Sequence, residues 1–235
     1  MYAFIKRLID IILSLIALSL LMIIFIPIII LLRFTGEGEI FYFQKRVGYK
    51  NQYFYIWKFA TMLKNSPNMG TGSLTLRNDP RVTPMGGFLR KTKINELPQV
   101  INVLKGDMSL VGPRPQMEVD FKAFPDDIQA VIYNVKPGIT GIGSIVFRDE
   151  EKIISESPLT PREVYEKVIA PYKGALELWY QKHISLYTDI IIIFLTAWVV
   201  LFPKSELHFK IFKDLPDRPL EIWSPDHSFT KSPGL

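Results

Sequence analysis

The sequence contains no cysteine. That excludes disulfides, thiol catalysis and cysteine-based zinc sites, and leaves nothing to point to an oxidising compartment. Histidine is scarce: His183, His208 and His227 are scattered and form no metal-ligand spacing. Charge of one sign is only slightly in excess, 28 Lys and Arg against 23 Asp and Glu for a net charge of +5. Such a balance fits an anionic lipid surface, a nucleotide or a nucleic acid equally well. The basic residues do not cluster on one helix face with interleaved aromatics, which argues against nucleic acid. Internal repeats and interdomain linkers are also lacking. With 48% apolar residues in 235, this is not a polytopic membrane protein but one domain with a real core, on a membrane element.

That element is one long apolar run. From Leu8 to Leu32 only Asp10, Ser14, Ser19 and Pro27 interrupt it, and about 20 apolar residues suffice to cross a bilayer core. Lys6 and Arg7 give the run a basic start, but no small-residue cleavage site follows and Arg33 closes it, so it reads as a retained membrane segment. Basic residues on both sides (Lys6 and Arg7 before; Arg33, Lys45 and Arg46 after) pull both ends to the cytoplasm. Pro27 should kink the helix, and Asp10 is tolerable at an interface but costly if buried unpaired. A hairpin re-entering one leaflet satisfies these observations; a straight span satisfies the length alone. On the residues themselves the two remain open.

Beyond residue 35 the pattern is that of a soluble domain. Ile40 to Gln44 and Tyr53 to Phe59, separated by Gly48-Tyr49-Lys50-Asn51, read as a β-hairpin. Asn65 to Pro84 reads as a long ordered loop. Leu97, Val100, Ile101 and Leu104 form a helical stripe. Pro98 must lie in its first turn, so the helix is expected to start near Asn95 or Glu96 and to end at Gly106. Asp126 to Val135 and Arg162 to Ile169 are predicted helices, the second with Thr160 as N-cap and Pro161 at N1. Ile190 to Phe202 is too short to span; it is either a buried core helix or an interfacial one. The tail from Lys213 reads as irregular. Residues 1–35, 36–212 and 213–235 thus read as a membrane helix, a soluble domain with an apolar helix near 184–202, and a tail.

One block is highly specific. Asn78-Asp79-Pro80-Arg81-Val82-Thr83, Gly87-Phe88-Leu89-Arg90-Lys91-Thr92, Glu96-Leu97-Pro98-Gln99, Asn102-Val103, Gly106-Asp107-Met108-Ser109-Leu110 and Val111-Gly112-Pro113-Arg114-Pro115 follow in order. Together they resemble the bacterial sugar transferase family, the monotopic phosphoglycosyl transferases. The resemblance runs from Lys6-Arg7-x-x-Asp10 to Pro137-Gly138-Ile139-Thr140-Gly141, and more weakly to Trp198. It implies an α+β fold, mainly helical, in which a small β-hairpin domain sits on a re-entrant, proline-kinked N-terminal membrane helix; Pro27 matches that position in kind. The implied reaction moves a sugar-1-phosphate from a nucleotide diphosphate sugar, expected to be a UDP-sugar, to polyprenyl phosphate. Nucleoside monophosphate is released, in the first membrane step of surface polysaccharide or glycoconjugate synthesis. The implied location is the cytoplasmic face of the bacterial inner membrane, with membrane lipid, polyprenyl phosphate and the nucleotide sugar as partners and Mg2+ as cofactor.

Such chemistry rests on positioning anionic phosphates and neutralising their charge. Lys58, Arg90, Lys91 and Arg114 are the expected phosphate or nucleotide ligands, with Asp79 and Arg81 as further candidates that can equally hold a loop together. The resemblance implies an Asp-Glu dyad whose Asp is the proposed nucleophile, but here the pair is Asn95-Glu96. An amide has no anionic oxygen for attack and holds magnesium less well. Asn95 or Glu96 is the expected metal ligand. Glu96, read as lying at the helix start, is the remaining carboxylate, either attacking the nucleotide sugar or activating the lipid phosphate. Ala60 and Ser144 also depart from the family pattern, where arginine and glutamine are usual. The alternative reading is a non-catalytic membrane scaffold or weakened relative.

Overall fold

The computed structural model describes residues 2–69 and 79–219. Asn78, much of the expected loop up to Pro84, and the tail beyond Pro219 lie outside the described residues. The chain is mainly helical with two small two-stranded sheets.

Helix α1 (Tyr2–Phe34) continues through Pro27 and is about 50 Å long at its 33 residues. Asp10, Ser14, Phe25, Ile28 and Leu32 are buried, and Ala17, Leu18 and Leu21 half-buried. These positions recur at three and four residues, so a single stripe faces the rest of the molecule along the helix. The other faces expose large apolar side chains such as Leu20, Ile23 and Ile30.

The first turns of α1 are fixed by the Lys6-Arg7-x-x-Asp10 motif. Lys6 Nζ lies 2.6 Å from Asp189, which also accepts hydrogen bonds from the hydroxyls of Tyr2 (2.8 Å) and Tyr180 (2.7 Å). Arg7 donates to the Val103 and Leu104 carbonyls at 2.6 and 2.8 Å, filling acceptors that a helix C-terminus leaves open. Asp10 is buried, but its carboxylate accepts from the Leu110 amide at 3.1 Å, which removes the penalty of an unpaired buried charge. Farther along, Phe25, Ile28 and Leu32 pack with Phe59 and Leu89.

The hairpin is β1 (Phe41–Val47) and β2 (Tyr53–Phe59), antiparallel, with Tyr42 opposite Lys58 and Arg46 opposite Phe54. The first strand runs three residues beyond the expected Gln44 and carries Arg46 on the same side as Lys58. Helix α2 (Pro84–Lys91) starts at Thr83, whose hydroxyl caps the Gly86 amide at 3.0 Å. The next helix differs from expectation. Ile94–Gln99 winds as a 3-10 turn after left-handed Lys93, and α3 (Val100–Lys105) begins only at Val100. Pro98 supplies no N–H, so the first turn cannot close as a regular α-helix. Gly106 ends α3 at φ 92°, as expected.

Strands β3 (Ser109–Val111) and β4 (Gly138–Thr140) pair in parallel. Between them lie α4 (Glu118–Phe121) and α5 (Asp126–Val131), the latter four residues shorter than expected. Helices α6 (Ile142–Val146), α7 (Glu150–Glu156) and α8 (Pro161–Val164) follow. The Thr160 capping box with Glu163 is present. The helix does not stop at Ile169: a π-turn over Tyr165–Ile169 leads into α9 (Ala170–Lys182). Pro171 lacks the N–H that an α-helix would use there, and the wider turn absorbs the defect.

Helix α10 (Leu186–Leu201) turns one face of the second apolar stretch into the core and leaves the other exposed. Ile192, Leu195 and Val199 are in the core, whereas Ile190, Phe194 and Leu201 are exposed. A short α11 (Leu207–Ile211) precedes the described part of the tail, which is irregular from Lys213. The main core joins α9 and α10 to β3, α5 and α6 through residues such as Leu176, Ile192, Leu195, Ile142 and Ile169.

Candidate active site

The hairpin, the Ile94–Gln99 turn, the Gly112–Pro115 turn and α6–α8 surround one large cleft of about 1290 Å³. Among the described residues, ten Lys and Arg side chains line it against six Asp and Glu, and no histidine does.

Two backbone arrangements hold its centre. Asn102, fully buried at one turn from Pro98, accepts from the Trp57 amide at 2.9 Å and donates to the Tyr55 carbonyl at 2.8 Å. Strand β2 and α3 are thereby held in register, and Lys58 with them. On the opposite wall, the Gly112 amide donates to Thr140 and the Gly138 amide to Pro113, both at 2.9 Å. The two chains approach so closely that a Cβ on Gly138 would lie 2.1 Å from the Gly112 nitrogen. This contact explains the glycines of both Gly-Pro and Pro-Gly motifs. The Tyr133 hydroxyl donates to the Arg114 carbonyl at 2.9 Å, so Arg114 projects from a fixed turn.

Glu96 sits between these walls. One carboxylate oxygen, Oε1, lies 2.9 Å from Lys58 Nζ and 2.5 Å from Arg114 Nη2. Burial pushes the Glu96 carboxyl up, but Arg114 and Lys58 outweigh it and hold it well below the usual range. Burial lowers the Lys58 ammonium to about 8 while Glu96 pulls the other way. The charge on Glu96 therefore depends on these two cations. Glu96 also lies in the first turn of the 3-10 segment that runs on into α3.

Asn95 is buried on the same wall, and its side-chain oxygen has no hydrogen-bond partner. Arg90 lines the cleft and pairs with Glu151 at 2.8 Å. Lys91 is exposed on the last turn of α2 and does not line the cleft, whereas Lys93 does. Arg81 and Asp79 are committed to each other at 2.6 Å, and Arg81 also donates to the Ser66 and Met69 carbonyls. That pair holds the loop. Ala60 and Ser144 both line the cleft, Ser144 with a buried hydroxyl that has no partner.

Sequence reasoning passed over several of the cleft cations, of which Arg46 and Lys173 are the most enclosed by other elements. Arg46 lines the cleft and donates to Gln44 and the Pro115 carbonyl; the period-2 alternation of the hairpin could have placed it beside Lys58. Lys173, from α9, is buried at the cleft wall and pairs with Glu150 at 2.6 Å. Nothing local in the sequence marks it.

The bacterial sugar transferase family model matches residues 1–203. One relative is UDP-N-acetylgalactosamine-undecaprenyl-phosphate N-acetylgalactosaminephosphotransferase of Aeromonas hydrophila, 35% identical over 85% of this chain and 44% of its own. Undecaprenyl-phosphate galactose phosphotransferase of Salmonella typhimurium is also 35% identical, over 84% of this chain and 40% of its own. Exopolysaccharide production protein ExoY of Rhizobium meliloti is 31% identical over 85% and 87%. The chain thus spans less than half the length of the first two and most of the third. Matched over most of its length, and carrying the ordered motifs that build the cleft, the chain belongs to the bacterial sugar transferase family.

Proposed function

We propose that this chain is a phosphoglycosyl transferase, moving a sugar-1-phosphate from a UDP-sugar to polyprenyl phosphate and releasing nucleoside monophosphate. The observation that carries this reading is Glu96 suspended between Lys58 and Arg114 in an open, cation-rich cleft. Lys58 and Arg114 have more N–H donors than Glu96 uses, so both can meet an arriving diphosphate while still paired with it, and phosphoryl transfer depends on that kind of charge neutralisation. The names of the relatives specify undecaprenyl phosphate as the acceptor of two of them.

The cleft also reaches Val199 and Val200 of α10, whose outer face is apolar. A lipid phosphate would approach from that side while its chain remains in the membrane. Helix α1 would lie in one leaflet of the bacterial inner membrane, with the domain on the cytoplasmic face. Its two ends are held by the same body, at Asp10 and at Phe25 to Leu32, and the faces turned away from that body expose mostly apolar side chains. The absence of cysteine makes this testable with single cysteines at Tyr2 and Glu37, labelled from each side of sealed vesicles. Labelling from the same side is expected; labelling from opposite sides overturns the topology.

Magnesium fits the donor set. The unpartnered Asn95 oxygen and the second Glu96 oxygen are hard donors, and Mg2+ typically takes one or two protein oxygens plus substrate phosphates. Among the described residues no group of three or more His, Asp or Glu could hold a metal, so the diphosphate would complete the shell. When bound, the ion adds positive charge opposite the leaving phosphate. Lys58 and Arg114 bind and orient the phosphates, and Glu96 keeps both cations in place before substrate arrives.

The experiment is incubation of the detergent-solubilised chain with UDP-hexoses and UDP-N-acetylhexosamines plus undecaprenyl phosphate and Mg2+. Nucleoside monophosphate and lipid-linked sugar diphosphate in equal amounts are the expected products. No nucleotide release with any of them overturns the assignment.

A further inference from the structure

We infer that in this chain the polyprenyl phosphate attacks the nucleotide sugar directly, in one displacement, with no covalent phospho-sugar enzyme. This rests on the proposed transferase function and specifies its nucleophile.

Among the described residues the geometry offers no suitable attacking group. Asn95 presents an amide, whose oxygen is neutral. Glu96 is anionic but engaged, with Lys58 and Arg114 on the same oxygen. A carboxylate neutralised by two cations has little electron density to offer phosphorus. The other cleft carboxylates are taken as well: Glu150 by Lys173 at 2.6 Å, Glu151 by Arg90 at 2.8 Å and Asp120 by Arg162 at 3.2 Å. Glu39 and Asp149 are exposed. Serine, threonine and tyrosine hydroxyls line the cleft, including Thr61, Thr140, Ser144 and Thr196, but among the described residues no histidine lines it to take their proton.

The acceptor itself supplies what the chain lacks. A phosphate monoester has its second ionisation near about 6, so it is largely dianionic at neutral pH. One of its non-bridging oxygens forms the new bond to the phosphorus that bears the sugar. The bond from that phosphorus to the bridging oxygen breaks, and its electron pair leaves with the nucleoside monophosphate as a dianion. A dianionic acceptor and a dianionic nucleotide sugar give a dianionic lipid diphosphate sugar and a dianionic nucleotide. No proton is transferred, so no general base is required. Lys58 and Arg114 then serve by bringing two anionic substrates together, which fits a cleft with four more cations than acids. The buried, unpartnered Asn95 oxygen adds a contact to the ion or substrate without reacting.

A covalent route and a direct one differ in what happens without lipid. The full chain, delipidated in detergent, is mixed with a UDP-sugar that it uses, Mg2+ and labelled UMP, first without and then with undecaprenyl phosphate. No label is expected to enter the UDP-sugar without lipid, above a blank lacking enzyme, and transfer is expected once lipid is added. Asn95→Asp, which returns a carboxylate to the same wall, is expected to exchange label without lipid and so shows that the assay detects the covalent route. Lipid-independent exchange by the natural chain, with transfer intact, overturns this inference alone. Failure of the natural chain to transfer with any UDP-sugar, even with lipid, overturns it together with the proposed function.

Discussion

Two carboxylates in this molecule each gather several donors, one cation and two hydroxyls at Asp189 and two cations at Glu96, and they do so for different ends. Asp189 receives Lys6, Tyr2 and Tyr180 at the root of α1. Its side chain is 8% exposed, with Lys6 at 17%. Glu96 receives Lys58 and Arg114, with Glu96 at 21% and Arg114 at 32%, in an open cleft. A closed cluster that joins side chains of α1 and α9 to an acceptor on α10 fixes one helix on another and has nowhere to admit a ligand. An open cluster whose donors can turn toward an incoming anion is suited to binding. Bond length does not distinguish them, since both include contacts of 2.5–2.6 Å. Access from solvent does.

The largest expected effect breaks the closed cluster. Asp189→Ala leaves Lys6 and two tyrosine hydroxyls without their acceptor, and removing one partner of a buried pair costs about 3–5 kcal/mol. Thermal unfolding in detergent should shift down on the order of 10 °C. A shift within error would make the root of α1 dispensable. Next come the cleft cations: Arg114→Ala and Lys58→Ala should each lose about 1.5–3 kcal/mol of transition-state stabilisation, measured as kcat/KM, with little change in melting. A loss below about threefold in a folded variant removes that residue from the site.

Acidity sharpens the same contrast. Lys58 titrates at about 8, so the positive charge that binds phosphate is present below that pH and lost as pH rises through it. The kcat/KM profile, which reports the free enzyme, should fall above about pH 8. Lys58→Arg keeps its charge and should flatten that limb; an unchanged fall would assign it to another group. The smallest effect belongs to Lys91→Ala, exposed and off the cleft, where turnover should stay within about 0.5 kcal/mol of the natural chain.

Much of the frame was legible in the sequence because its signals are local. The hairpin alternation, the Gly106 stop and the Thr160 capping box each depend on a few neighbouring residues. The helical start near Asn95 was legible for a local reason as well. A proline-in-the-first-turn rule gives a position but not the kind of turn, and the first six residues wind as a 3-10 helix before α3. Lys58, Glu96 and Arg114 were correctly grouped by family resemblance, whereas their convergence on one oxygen is a tertiary fact. The Asp189 cluster was beyond reach, since Lys6 and Asp189 are 183 residues apart with no pattern joining them. Lys173 and the continuation into α9 were missed because Pro171 reads as a stop, and only the π-turn lets the helix pass it.

The most direct measurement compares UDP-sugar binding by the full chain in detergent after substitution in each cluster. Titration calorimetry of Arg114→Ala should show affinity weakened at least about tenfold, the loss of one charge-assisted contact, while Lys6→Met should bind as the natural chain does. Equal loss in both variants, or loss in Lys6→Met alone, would contradict the assignment of the open cluster to substrate and the closed one to anchoring α1.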